Sequence, residues 1–181
     1  MGRNSEKLNH PRVEALIREL SQLMGSGAKT GMFEEMFADL ALIGRENPDL
    51  GDHKLIHKTL QELRESLTLF FPLRGKRKVA VFGSSRVSDS HPNYKLAMEL
   101  AQGLVHQGFQ VITGAGGGIM EAANRGAGRK ESFGLNIKLP SEQSANSYID
   151  NDPHLMEFKY FFTRKLMFIK ESSATVLLPG G

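Results

Sequence analysis

"VITGAGGGIM", residues 111–120, runs from apolar strand-formers into glycines and emerges as the start of a helix. Val111, Ile112 and Thr113 favour an extended backbone, whereas Ile119, Met120, Glu121 and the alanines after them favour a helix. Gly114, Gly116, Gly117 and Gly118 occupy the turn between. Glycine accepts positive φ and leaves its backbone N–H bare. A helix N-terminus adds further free N–H groups and the positive end of the helix dipole. The turn therefore suits an anion, and phosphate is the natural one. A tight turn without a ligand would explain a single glycine; four, feeding a helix, favour a phosphate site.

The same alternation extends outward on both sides. "KVAVFGSS" (78–85) reads as a buried strand, and "HPNYKLAMELAQGLVHQG" (91–108) as a helix with Ser90 as N-cap, Pro92 in the first turn and Gly108 beyond the last. "FQVITG" is the second strand and "GIMEAANRGA" the second helix, closing on Gly126. "SFGLNIKLP" is a third strand, "YFFTRKLMFIKES" a further helix, and "ATVLLPGG" a strand ending in glycines. Strand and helix in alternation spell an α/β, doubly wound parallel sheet. Ligands of such sheets collect beyond the carboxyl ends of the strands. Here those ends are "FGSSR", "TGAGGG" and "LPGG", all small enough to line one crevice. The expected phosphate and nucleotide contacts are Gly83, Ser84, Ser85, Gly114, Gly116, Gly117, Gly118, Ile119, Met120, Pro179, Gly180 and Gly181.

The turn is not a dinucleotide fingerprint, because Ile119 stands where G-x-G-x-x-G needs its last glycine and no acidic residue closes "GLNIKLP". It is not a P-loop, because no Lys-Ser or Lys-Thr pair follows. A mononucleotide or sugar phosphate fits better than a dehydrogenase or NTPase ligand. Arg164 and Lys165 point about 100° apart on a helix, so one enters the crevice and the other meets solvent; arginine is the better fork for phosphate. Glu121 either acts in the site or merely favours the helix dipole from the first turn. The six histidines are scattered and His53 with His57 lacks a third ligand, so no metal is expected. Ser84 and Ser85 lack the G-x-S-x-G elbow of a serine hydrolase.

The chain has 181 residues, no cysteine and a net charge of +3. These values exclude a disulfide framework, a thiolate metal site and a cysteine nucleophile, and give no ground for nucleic-acid binding. No signal-peptide core and no stretch of ~20 apolar residues is present, which leads to the expectation of a cytosolic chain with no membrane contact. Before the α/β pattern, Val13, Leu16, Ile17, Leu20 and Met24 form one helical stripe, Met32, Phe33, Met36, Phe37 and Leu40 a second, and Ile56, Leu60, Leu63 and Leu67 a third. "GSGAKTG" and "GRENPDLGD" separate them. We expect a helical extension over 1–73, with its stripes buried on the following domain or on a second subunit, and a nucleotide-binding domain over 74–181 that is incomplete at its C-terminus.

Together, "VAVFGSSR", "VITGAGGGIMEAANRGA", "GLNIKLPSEQSANSYI", "FFTRK" and "LLPGG" resemble the lonely guy (LOG) family of cytokinin-activating phosphoribohydrolases, whose members are also labelled lysine decarboxylases. The resemblance covers about Lys78 to Gly181 and leaves residues 1–70 outside. It implies a Rossmann-like homodimer, or a higher homo-oligomer, that cleaves the N-glycosidic bond of an AMP-like nucleoside 5′-monophosphate to free base and ribose 5-phosphate, without a cofactor. It places the phosphate on Gly116–Gly118 and Gly180–Gly181, and maps the family arginine to Arg164. Thr163 stands where some branches carry an acid. The family's catalytic glutamate belongs to "PGGxGTxxE", present here only as far as Gly181, so weak binding and little turnover are expected of this chain. Lysine decarboxylation would need a lysine Schiff base with a pyridoxal partner acid, and only Lys165 offers itself. A nucleotide or cofactor carrier on the same fold is the other reading, since it needs the glycine turns but no carboxylate.

Overall fold

The helical stripes become three helices in the computed structural model, which describes residues 10–25, 27–46, 49–138 and 144–180. These are α1 (Pro11–Met24), α2 (Ala28–Glu46) and α3 (Leu50–Phe70). Pro11 starts α1, where its missing N–H costs nothing. The breaks are shorter than "GSGAKTG" and "GRENPDLGD" suggest: Thr30 and Gly31 already belong to α2, and α2 continues to Glu46.

The chain divides into two compact units, Met1–Ile56 and His57–Gly181. In the first, α1 and α2 pack on each other. Leu16, Leu20, Met24, Met32, Met36 and Leu40 nevertheless remain 41–60% exposed. The second unit begins inside α3, ahead of the position where the sequence pattern changes, because Leu63, Leu69, Phe70 and Leu73 pack into the core of the sheet.

That sheet has five strands: β1 (Lys78–Phe82), β2 (Gln110–Thr113), β3 (Ser132–Ile137), β4 (Leu155–Phe158) and β5 (Ala174–Leu177). Their order is β4-β3-β2-β1-β5 and every pair is parallel. The crossover helices are α4 (Pro92–His106), α5 (Ile119–Ala127) and α6 (Phe161–Glu171). This is a Rossmann-like α/β sheet. The chain steps outward from β1 to β4 and then returns to place β5 on the other side of β1.

Successive strand residues face opposite layers. Val79, Val81 and Val111 meet Ala97 and Ala101 of α4 and Ala122 and Ala123 of α5. Ala80, Ile112, Phe133 and Leu135 meet Phe70 of α3 and Met167 and Phe168 of α6. Phe70 and Phe133 lie 5.3 Å apart between ring centroids. β4 escapes the sequence reading because "LMEF" is only four residues long, with Met156 and Phe158 alone turned inward.

Two helix ends also differ from expectation. His91, not Ser90, caps α4: its Nδ1 accepts from the Asn93 N–H at 3.0 Å, and Pro92 takes the next position. α5 closes at Ala127 with Gly128 beyond it at φ +72°, while Gly126 lies inside the helix. A side chain on Gly126 would overlap the Met98 carbonyl, so this glycine sets the close approach of α4 and α5. No described helix is long and apolar enough to cross a membrane.

Candidate functional site

The glycine turn is shaped first by the protein around it. Gly118 opens α5 at φ +62° with no side-chain cap, and a Cβ there would overlap the Ser84 carbonyl. That carbonyl already accepts the Ile119 N–H at 3.0 Å. A Cβ on Gly83 would fall 2.7 Å from the Ile119 side chain. The turns after β1 and β2 therefore lie against each other, and Gly83 and Gly118 are the two positions that permit it. A side chain on Gly114 would overlap the Arg164 guanidinium, and one on Gly116 would meet the Met120 methyl at 2.6 Å. Gly117 is less crowded: its Cβ would make ordinary contacts, 3.4 Å from the Ser85 carbonyl and 3.8 Å from Glu121 Oε2.

Ala115 holds the turn in a left-handed conformation, φ +61°, and is fully buried. For a residue with a Cβ this costs on the order of 1 kcal/mol, and a buried polar network offsets it. The Ala115 N–H donates to Thr113 Oγ1 at 2.9 Å. Its carbonyl accepts from the Asn146 backbone N–H at 2.8 Å and from Asn146 Nδ2 at 3.1 Å. Asn146 Nδ2 also reaches the Gly116 carbonyl and Asn124 Oδ1, each at 3.0 Å. The Thr113 hydroxyl donates to Asn124 Oδ1 at 2.8 Å. The carbonyls of the turn are thus tied back, while no acceptor among the described residues engages the N–H groups of Gly116 and Gly117.

Sequence reasoning missed Thr113, Asn124 and Asn146 as the frame of this turn. Asn124 carried a signal, being a polar residue on the otherwise apolar inner face of α5. Asn146 carried none, since it reaches the turn from a loop about 30 residues further along.

Arg164 enters from α6. Its Nε donates to the Leu135 carbonyl at 2.6 Å and its Nη2 to the Gly114 carbonyl at 3.3 Å, which sets the guanidinium over the carboxyl ends of β2 and β3. A cavity of about 210 Å³ opens there, lined by Ser85, Gly114, Gly116, Met120, Asn136 and Arg164 among others. A larger hollow, about 620 Å³, lies between α6 and β5. Phe82, Phe161, Phe168 and Ile169 make it mostly apolar, and none of the turn residues lines it. The smaller cavity brings the Arg164 guanidinium together with residues of the glycine turn.

Other expected site residues lie elsewhere. Lys165 is exposed and borders the apolar hollow, while Arg164 borders both. Ile119 does not reach the crevice, because its side chain is buried against Gly83 and its N–H is held by Ser84. Glu121 does not line the cavity; its Oε1 accepts from the Tyr94 hydroxyl at 3.3 Å. Burial pushes the Tyr94 phenol above its usual range, against the opposing hydrogen bond to Arg125. Ser84 is held by its neighbours: its N–H donates to the Pro179 carbonyl at 3.2 Å and its Oγ accepts from the Arg86 N–H at 3.2 Å. Pro179 stands beside the β1 turn, and neither it nor Gly180 lines the cavity. Gly181 lies outside the described residues.

The sequence model of the SLOG cluster4 family matches residues 76–180. Among solved structures, the chain is similar to TM1055, a structural genomics target, with 26% identity over 57% of this chain and 61% of that one, and a TM-score of 0.42. Two structures of the molybdenum cofactor carrier protein of Chlamydomonas reinhardtii match at 19% and 20% identity, with TM-scores of 0.43 and 0.44, each over 59% of this chain and 64% of that one. The chain thus spans about three fifths of the length of these solved structures. No curated protein matches it.

Proposed function

The chain belongs to the SLOG cluster4 family, and on that premise we propose that its second unit grips the phosphate of an AMP-like nucleoside 5′-monophosphate above the carboxyl ends of β1, β2 and β3. One observation carries this reading: a glycine turn at a helix N-terminus, with its carbonyls tied back by Asn146, and the Arg164 guanidinium border the same cavity. The N–H groups of Gly116 and Gly117 and the positive end of α5 supply the anion site, and arginine supplies a planar fork for phosphate oxygens. At about 210 Å³ the cavity is smaller than the roughly 300–1,000 Å³ of pockets that enclose whole ligands. That suits an anchor for the phosphate rather than a container for the nucleotide.

The enzymatic form of the reading is hydrolysis of the N-glycosidic bond. Water adds to C1′ as the C1′–N bond breaks, and the electron pair leaves with the base, which takes up a proton. A carboxylate near C1′ stabilises the oxocarbenium character of the transition state, and the gripped phosphate orients the sugar. Glu121 is the candidate within this chain. The carrier form needs the glycine turn and Arg164 but no carboxylate, and it accords with Glu121 being turned to the Tyr94 hydroxyl. We also infer that a second copy of the chain covers the exposed stripes of α1 and α2.

Calorimetric titration tests the grip. AMP is expected to bind and adenosine to bind far more weakly, with R164A weakening AMP by about ten- to a hundredfold, as for loss of a charge-assisted hydrogen bond. Equal binding of AMP and adenosine, or no binding of AMP, overturns the proposal. Incubation with a panel of nucleoside monophosphates then tests Glu121: released base that E121Q abolishes supports hydrolysis through Glu121, and no release, or release that E121Q leaves intact, removes Glu121 from the reaction.

A further inference from the structure

Glu62, on the part of α3 that belongs to the second unit, is a fully buried carboxylate that nucleotide binding as described does not use. Burying a carboxylate is costly unless strong partners replace water, so its partners indicate what it is for. Oε1 accepts the Lys159 backbone N–H at 2.7 Å, and Oε2 is the nearer of two acceptors for the Thr163 hydroxyl, at 2.5 Å against 2.9 Å for the Tyr160 carbonyl. The Lys58 ammonium stands 4.0 Å away, one helical turn back on α3.

The two hydrogen-bonded groups bracket the start of α6. Lys159 precedes Tyr160, which occupies the N-cap without offering a side-chain cap, and Thr163 lies in the first turn. Glu62 thus holds the backbone just before the N-cap and a side chain of the first turn, and places negative charge near the positive end of α6. The residue after Thr163 is Arg164, whose Nε and Nη2 must reach Leu135 and Gly114 for the guanidinium to face the cavity. Adjacent helical residues differ by a fixed rotation of about 100°. Clamping the Thr163 hydroxyl and the backbone before it therefore sets the direction in which Arg164 leaves the helix.

We infer that Glu62 is the positioning residue of the Arg164 site. Through Thr163 and the Lys159 N–H it locks the first turn of α6 so that the guanidinium stays over the carboxyl ends of β2 and β3. The functional consequence rests on the nucleotide-phosphate reading; the positioning itself does not.

The test uses the full 181-residue chain and two readouts. The first is solvent exchange of the Arg164 Nε–H in ¹⁵N-resolved spectra, assigned by its absence from R164K. Wild type and T163S, which retains the hydroxyl, are expected to protect this proton. T163V, nearly isosteric but unable to donate, and E62Q are expected to exchange it about tenfold faster or more, with the backbone amide spectrum away from α6 preserved. Protection equal to wild type in T163V overturns the inference, as does loss of protection only together with global melting. If E62Q does not fold, the T163V and T163S pair decides. The second readout is AMP affinity, expected to fall about tenfold or more in T163V and to stay at the wild-type level in T163S. A T163V chain that exchanges its Nε–H fast yet binds AMP like wild type overturns the link to binding. A wild type that protects the proton but binds no AMP overturns the nucleotide reading and leaves the positioning standing.

Discussion

Gly118 shows how one residue can serve two demands. It opens α5, where bare N–H groups suit an anion, and it stands at φ +62° against the Ser84 carbonyl. G118A must pay the left-handed backbone cost, about 1–2 kcal/mol, and also push the β1 turn aside. We expect it to lower stability by more than about 2 kcal/mol in urea denaturation; an unchanged midpoint would show that the two turns do not lean on each other. The sequence assigns all four glycines to the ligand, whereas the structure divides the work. Gly118, with Gly83, serves the contact of two turns, and Gly114 and Gly116 make room for Arg164 and Met120. Only Gly117 is left bare without a crowding neighbour. Neighbours 50 residues away, as Arg164 is from Gly114, leave no trace in local pattern.

The elements were largely legible, and for a common reason. Helical period identified α1 to α3, and the alternation of strand-like with helix-forming segments identified α4 to α6 and β1, β2, β3 and β5, apart from their ends. β4 was missed because it is short, and the start of α4 because a local group outcompetes a stronger general preference. The His91 ring takes the Asn93 N–H that a capping serine at position 90 was expected to take, while the Ser90 and Ser88 hydroxyls meet each other at 2.9 Å. α1 and α2 make a prediction of their own. Their stripes leave Leu16 51% and Met32 59% exposed, and exposed apolar faces of this kind mark association surfaces. Light scattering is expected to find the wild type as a dimer or larger, and the combined variant L16Q, L20Q, M32Q, M36Q as a folded monomer. A monomeric wild type would remove the second copy from the account.

Across the whole second unit, Glu131 ties together segments that the chain separates widely. Its carboxylate accepts from Gln110 Nε2 at 3.0 Å and from Lys76 Nζ at 3.2 Å, joining the approach to β1, the start of β2 and the turn before β3. Burial alone would raise its pKa, but the hydrogen bonds from Gln110 and Lys76 outweigh it and hold the carboxyl below its ordinary value of 4.5. The folded state therefore favours the charged form. The stabilisation is complete above that ordinary value and is lost as pH falls through the lower, folded one. Urea midpoints measured from about pH 6 down to about pH 3 are expected to fall more steeply in the wild type than in E131Q; parallel curves would show that Glu131 contributes no acid sensitivity. What the sequence alone determined was the α/β class, the succession of elements apart from β4 and a glycine turn at the head of α5, because propensity, periodicity and glycine placement act within a few residues. Tertiary structure alone decided the strand order, the frame that Asn146 and Asn124 build behind the turn, the heading of Arg164 and the burial of Glu62 against α6. Those depend on which distant groups meet, and burial then makes each meeting obligatory, because a buried polar atom must find its partner in space.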